Sequence, residues 1–217
     1  KHNESMEILG LLKGTEYTIT ETGADDYGTY IILGRGEAVK VVEDKEEKTI
    51  SGSITSDTGT RVMFTNSKSS LVIEKENKEE GEGGKAFAFT VTLENENGID
   101  GGYAYKKWTD GQQEVQEQPC TVSEGKLSLG GGTDGITLTH NEHIEIIGLP
   151  QGTRYTVEET GAADYITDVS VSEEKIYDLA AGTTDNLPNT KKITGTIEDG
   201  NSAVTLKFTN SKKPGEP

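Results

Sequence analysis

The sequence repeats itself, and the repeat is unequal. The run from residue 2 to residue 27, HNESMEILGLLKGTEYTITETGADDY, returns from residue 140 to residue 165 as HNEHIEIIGLPQGTRYTVEETGAADY. A second pair follows the copies: ISGSITSDTGTRVMFTNSK, ending at Lys68, and ITGTIEDGNSAVTLKFTNSK, ending at Lys212. The copies are about 140 residues apart, the size of an ordinary domain. Between them, from about Ser69 to Leu138, lies a stretch that occurs once. The order is therefore C-terminal half, N-terminal half, C-terminal half. Residues 69–217 suffice for one complete module, while residues 1–68 make the C-terminal half of another whose opening strands are missing. Three explanations stay open: a chain cut upstream, a disordered half, or a half supplied by another polypeptide.

Period-two alternation marks the elements as strands. It is clearest in Ala86-Phe87-Ala88-Phe89-Thr90-Val91-Thr92-Leu93, Ile144-Glu145-Ile146, Tyr155-Thr156-Val157 and Val204-Thr205-Leu206-Lys207-Phe208. Gly-rich breakers punctuate them at Gly81–Gly84, Gly130–Gly132 and Gly182–Thr184. The expected fold is all-β, tandem Ig-like sandwiches with Greek-key connections. One short helix is expected from Ser172 to Ala181, with Ser172 as cap and Glu173 and Glu174 in the first turn.

Charge narrows the function classes. With 21 Lys+Arg against 38 Asp+Glu, the formal net charge is −17. A nucleic-acid face or an anionic-membrane surface needs clustered basic residues, so both are disfavoured. The single cysteine, Cys120, excludes an intrachain disulfide and a Cys-rich zinc site. No apolar run approaches the ~18 residues of a spanning helix, so no membrane insertion is expected. The opening Lys1-His2-Asn3-Glu4 is no signal peptide.

Alternation also assigns faces. Leu71, Ile73 and Lys75 share one face; Tyr155, Val157 and Glu159 share another; Val204, Leu206, Phe208 and Asn210 share a third. A lysine, a glutamate and an asparagine thus each end an apolar stripe that points into the core. The first half-module repeats two of these stripes, Tyr17-Ile19-Glu21 and Val62-Phe64-Asn66, and has no lysine strand. Buried lysine and glutamate are costly unless paired or neutralised. An internal ion pair with Asn210 as hydrogen-bond partner is one reading, and strand ends turning to water are another.

The residues LVIEK, FAFTVTL, GLPQGTRYTVEETGAADY and LKFTNSK resemble the CnaB-type, Spy0128-like pilin and adhesin modules of Gram-positive surface proteins. The similarity covers residues 69–217, and the C-terminal half of the pattern again over 1–68. It implies a spontaneous intramolecular isopeptide bond, with Lys75 as nucleophile, Asn210 supplying the carbonyl carbon and Glu159 as the promoting acid. Glu158 competes for that role, but alternation turns it outward and the first copy has Thr20 in its place. A neutral amine, favoured by burial, is the competent nucleophile. Asn66 precedes Lys75 by too few residues for a parallel crossover of a dozen or more, so any lysine serving Glu21 and Asn66 lies outside this chain.

The resemblance implies a stalk or adhesin fragment of an extracellular, cell-wall-anchored protein. It implies no enzyme beyond a single-turnover cross-link, no cofactor and no metal. The alternative is a ligand-binding head module for host matrix or carbohydrate, displayed around Trp108, Tyr103 and Tyr105, with such partners reached also through neighbouring modules. A glycosidase would need a paired set of carboxylates in a cleft, and none is singled out. Leu187-Pro188-Asn189-Thr190-Lys191 misses a sortase signal at Lys191 and reads as a loop. His140 and His143 read as solvated surface on opposite faces of a strand. The loop Glu94–Asp100 lacks EF-hand spacing, and Cys120 reads as an incidental thiol.

Overall fold

The computed structural model of the chain describes residues 4–23, 27–34, 40–43, 48–55, 60–112, 115–129, 133–175, 184–198 and 202–214. Among these, every regular element is a β-strand. The chain divides into two compact units, Lys1–Asn66 and Ser67–Pro217.

The first unit holds β1 (Glu16–Thr20), β2 (Gly28–Leu33), β3 (Lys40–Glu43), β4 (Thr49–Ser53) and β5 (Val62–Ser67). β1 pairs antiparallel with β4, and the other three form a small sheet in the order β3-β2-β5. Ile31 and Ile50 are buried. Met6, Ile8, Leu9 and Leu12 are exposed.

The second unit continues with β6 (Ser69–Asn77), β7 (Phe87–Glu94), β8 (Gly101–Thr109), β9 (Gln118–Ser123), β10 (Lys126–Leu129), β11 (Thr133–Asp134) and β12 (Ile136–Leu138). It closes with β13 (Glu142–Leu149), β14 (Arg154–Thr160), β15 (Tyr165–Lys175), β16 (Thr184–Leu187), β17 (Lys192–Thr196) and β18 (Ser202–Lys212). The hydrogen-bonded path runs β16-β15-β18-β6-β13-β8-β9-β10-β7-β14-β17 and narrows to the Lys126–Thr92 pair between β10 and β7. Side chains of β7 and β14 face those of β6, β15 and β18 across the interior. Phe89 meets Phe208 edge-on at 5.1 Å, and Phe87 meets Tyr165 at 5.3 Å. The result is the expected all-β sandwich. Its first and last strands, β6 and β18, lie side by side and parallel, with Lys75 opposite Phe208 and Asn77 opposite Asn210.

The two copies of the repeat show how far sequence is subject to context. β13 sits between β6 and β8, with Ile144, Ile146 and Leu149 fully buried. The matching Met6, Ile8 and Leu11 are 85%, 63% and 44% exposed, and residues 4–11 form no strand. Among the described residues of the first unit no strand corresponds to β6 or β8, so this segment joins no ladder there. Where partners exist, the copies agree in detail. Tyr17 pairs with Gly52 and Tyr155 with Gly195. In each pair the ring lies over the glycine, where a Cβ would meet the tyrosine hydroxyl.

The helix expected from Ser172 is not formed in its first turn. Residues 172–175 extend β15, and Ser172 pairs with Thr205 on one side and Thr184 on the other. A ladder to the long β18 outweighs a local capping signal. Residues 176–181 of that segment lie outside the described residues, as do Gly130–Gly132 and residues 182–183.

Candidate functional site

β6, β14 and β18 carry their apolar stripes inward, and each stripe ends on a polar side chain. Lys75, Glu159 and Asn210 are 2%, 3% and 0% exposed. The structure brings the three together. Lys75 Nζ lies 2.8 Å from Glu159 Oε1, and Asn210 Nδ2 donates to the same oxygen at 2.9 Å. Thr167, opposite Asn210 in the β15–β18 ladder, donates its hydroxyl to the other carboxylate oxygen at 2.9 Å. The carboxylate is thereby held in one orientation. Lys75 Nζ also donates to the Phe208 carbonyl at 3.3 Å and sits 4.4 Å above the Phe87 ring. Asn210 Oδ1 is buried with no hydrogen-bond partner among the described residues.

Electrostatics follow from burial. Loss of hydration pushes the Lys75 ammonium down from 10.5 to about 8, against the opposing pull of the Glu159 charge and hydrogen bond. Burial thus favours the neutral amine at Lys75, which lies beside the Glu159 carboxylate. The Phe87 ring beneath the amine packs edge-on against Tyr165, and the neighbouring Phe89 and Phe208 are also buried. The turn from Lys78 to Lys85 closes one end: Asn77 Nδ2 donates to the Glu82 carbonyl, and Lys85 donates to the Tyr165 hydroxyl.

Glu158 points away, pairing with Lys192 at 3.3 Å and leaving its side chain 43% exposed. Thr167 was not singled out from the sequence. The available signal was its place two residues after Tyr165, which Thr29 occupies after Tyr27 in the other copy.

The first unit has a reduced version of the cluster. Asn66 Nδ2 donates to Glu21 Oε1 at 2.7 Å, and Thr29 donates to Asn66 Oδ1 at 2.7 Å and to Glu21 Oε2 at 3.5 Å. Thr29 is buried, Glu21 half-buried and Asn66 exposed.

The other candidates settle into structural roles. His143 is not solvated: its side chain is 12% exposed, stacked on Trp108 at 5.1 Å and placed between Asp110 and Glu74. Stacking covers one face of the Trp108 ring. His140 precedes β13, and its Nδ1 accepts the Asn77 backbone N–H. Asp100, in the acidic loop, accepts the backbone N–H groups of Glu124 and Gly125. Burial raises the Cys120 thiol to about 11, which leaves it unreactive. Asn189 and Thr190 form a turn held by Asp168 and the Thr167 carbonyl.

No curated protein matches the sequence. Among solved structures, the major pilin from Streptococcus pyogenes superposes with a TM-score of 0.55 at 21% identity, over 92% of this chain and 71% of that one. A single-residue mutant of that pilin gives a TM-score of 0.55 at 21% identity, over 94% and 72%. A second mutant gives 0.55 at 18% identity, over 94% and 72%. The fold is thus that of the pilin modules. The sequence itself matches one family twice, over residues 1–68 and 69–212, and the chain belongs to that family, described as Domain of unknown function (DUF7601).

Proposed function

We propose that residues 69–217 form a load-bearing module of a pilus-like or adhesin stalk on a Gram-positive cell surface, locked by an isopeptide bond between Lys75 and Asn210. One observation carries the reading: the first-strand amine and the last-strand amide hydrogen-bond to a single oxygen of a fully buried carboxylate.

The chemistry is balanced without any added reagent. Lys75 Nζ passes a proton to Glu159 Oε1, giving a neutral amine and a carboxylic acid. Rotation of the Asn210 amide presents Oδ1, which lacks a partner, to the acid O–H; the carbonyl is polarised. Nζ attacks Cγ, the Cγ–Nδ2 bond breaks, and Glu159 relays a lysine proton to the departing nitrogen. One amide forms and one ammonia leaves. Fixed placement on paired elements supplies the effective molarity that an ordinary amide requires. The reaction runs once per molecule, so it is maturation and not turnover.

The bond suits mechanical load. Tension entering at Ser69 and leaving after Asn210 would pass through Lys75 and the cross-link, bypassing residues 76–209. An amide, unlike a disulfide, is indifferent to reductants, in keeping with an extracellular chain that has one cysteine. The test is intact mass. Folded wild type should be lighter than its sequence by one ammonia, and Glu159→Ala should restore the full mass. Full mass in folded wild type overturns the proposal.

A further inference from the structure

Glu159 has two tasks in the proposed step and one proton for them. Its O–H polarises the Asn210 carbonyl, and the same proton is then needed at Nδ2 for ammonia to leave. When it turns to the nitrogen, Oδ1 carries the negative charge of the tetrahedral intermediate and loses its donor, at a buried position where an unpaired charge is costly. Lys75 Nζ is by then bonded to Cγ, the Phe208 carbonyl only accepts, and the Phe87 ring lies beneath the amine. One hydroxyl already touches the cluster. Thr167 is fully buried on β15, directly opposite Asn210 in the ladder to β18, and donates to Glu159 Oε2 at 2.9 Å.

The first unit shows that a threonine in this place reaches the amide oxygen. Thr29 follows Tyr27 as Thr167 follows Tyr165, and β2 lies beside β5 as β15 lies beside β18. The Thr29 hydroxyl is 2.7 Å from Asn66 Oδ1 and 3.5 Å from Glu21 Oε2, while Asn66 Nδ2 still donates to Glu21 Oε1 at 2.7 Å. The amide nitrogen faces the carboxyl group and the amide oxygen faces the hydroxyl. The departure of ammonia requires this arrangement. In the second unit Nδ2 contacts Glu159 in the same way, and Oδ1 has no partner among the described residues.

We infer that Thr167 is a catalytic hydroxyl of the cross-linking reaction: it shifts its hydrogen bond from Glu159 Oε2 to Asn210 Oδ1 and holds the oxyanion while Glu159 gives its proton to Nδ2. The inference rests on the Lys75–Asn210 chemistry and assigns that reaction a group beyond the lysine, the acid and the amide. Two changes of charge drive the shift. Proton transfer from Lys75 turns the carboxylate into a neutral acid, so Oε2 becomes a weaker acceptor. Attack by Nζ places a negative charge on Oδ1, which becomes a stronger one. The hydroxyl keeps its own proton throughout. Nζ–Cγ forms, Cγ–Nδ2 breaks, and Nδ2 leaves as ammonia with its own two protons and a third relayed from the lysine. As the oxyanion collapses to the new amide carbonyl, the hydroxyl remains its donor.

The experiment compares the wild-type chain with Thr167→Val, which keeps the shape and removes the hydroxyl, and with Thr167→Ser, which keeps the hydroxyl. Each is purified unfolded and diluted into neutral buffer; circular dichroism times the folding and intact mass times the loss of ammonia. Thr167→Val should fold and then cross-link roughly a hundredfold more slowly, the loss typical of one oxyanion donor. Thr167→Ser should stay within a few-fold of wild type. Equal rates in wild type and Thr167→Val overturn the inference, as does a serine variant no faster than the valine one. A crystal structure of cross-linked wild type separates this role from simple support of the carboxylate, and it depends on no variant folding. Thr167 Oγ1 should lie within about 3 Å of the new amide oxygen; a hydroxyl still held by Glu159 alone overturns the inference. Full mass in folded wild type overturns the internal bond and this inference with it, whereas loss of ammonia at a rate indifferent to Thr167 overturns this inference alone.

Discussion

If Lys75 and Asn210 cross-link as proposed, the pH dependence of the rate follows from proton counting. The resting pair, ammonium and carboxylate, holds one proton between Lys75 and Glu159. The reactive pair, amine and carboxylic acid, holds the same one. Their ratio is therefore independent of pH while the site keeps that proton, and only the site's proton occupancy matters. Burial sets the loss of the Lys75 proton at about 8 instead of 10.5. The rate should be level as the pH approaches about 8 from the neutral side and then fall roughly tenfold per pH unit. The assay starts from chain purified unfolded, before any bond has formed. It is diluted into buffers across that range, quenched in acid at intervals, and weighed for the loss of ammonia. A rate that climbs tenfold per unit to about 8 and then levels would refute the reasoning, since it would mean the amine reacts beside an ionised Glu159.

Further outcomes follow from the same geometry. Asn210→Ala removes a link spanning the 135 residues from Lys75 to Asn210, which loop closure values at about 5 kcal/mol. Calorimetry should show Tm falling by roughly 10–20 °C for a domain of this size, and an unchanged Tm would contradict the bond. In that uncross-linked variant folded Lys75 releases its proton at about 8, while the unfolded lysine holds it to 10.5. The unfolded chain binds more protons across that window, so stability should rise with pH through it by roughly 3 kcal/mol. Denaturant titrations at both ends of the window check the sign. Glu158→Ala, on the outer face, should leave the mass and rate of cross-linking unchanged, in contrast to Glu159→Ala. Gly195→Ala should destabilise the second unit by about 1 kcal/mol or more, because the new methyl group meets Tyr155; a neutral result would show that the ring moves aside freely.

The strands were legible because burial in a sandwich imposes a period of two. The faces of Lys75, Glu159 and Asn210 can be read directly from Leu71-Ile73, Tyr155-Val157 and Leu206-Phe208. Thr167 was not legible as a site residue. A threonine in a strand is ordinary, and only its ladder position opposite Asn210 gives it the carboxylate. The fate of residues 4–11 was equally hidden: their alternation matches β13, but a strand is a property of a ladder, and among the described residues of that unit no neighbouring strand pairs with them. His143 misled for a related reason. Spacing along the chain says nothing of Trp108 and Asp110 at the end of β8 or of Glu74 in β6, which two other parts of the chain bring around the ring. The expected helix at Ser172 failed because a cap contributes on the order of 1 kcal/mol, while four residues of β15 gain cross-strand pairs with β18.

The contrast between the units bears on stability as well as chemistry. In the second, a charged pair is buried at a cost of several kcal/mol that an unreacted site would have to carry permanently. The proposed conversion of ammonium and amide into a neutral secondary amide would remove that burden. In the first unit Asn66 is exposed, and among the described residues no lysine pairs with Glu21.

The most direct measurement is the electron density between two side chains in a crystal of the folded wild-type protein. The account predicts continuous density joining Lys75 Nζ to Asn210 Cγ at amide length, about 1.3 Å, with Glu159 beside it. Two separate side chains, an intact carboxamide and a free amine in van der Waals contact, would contradict it.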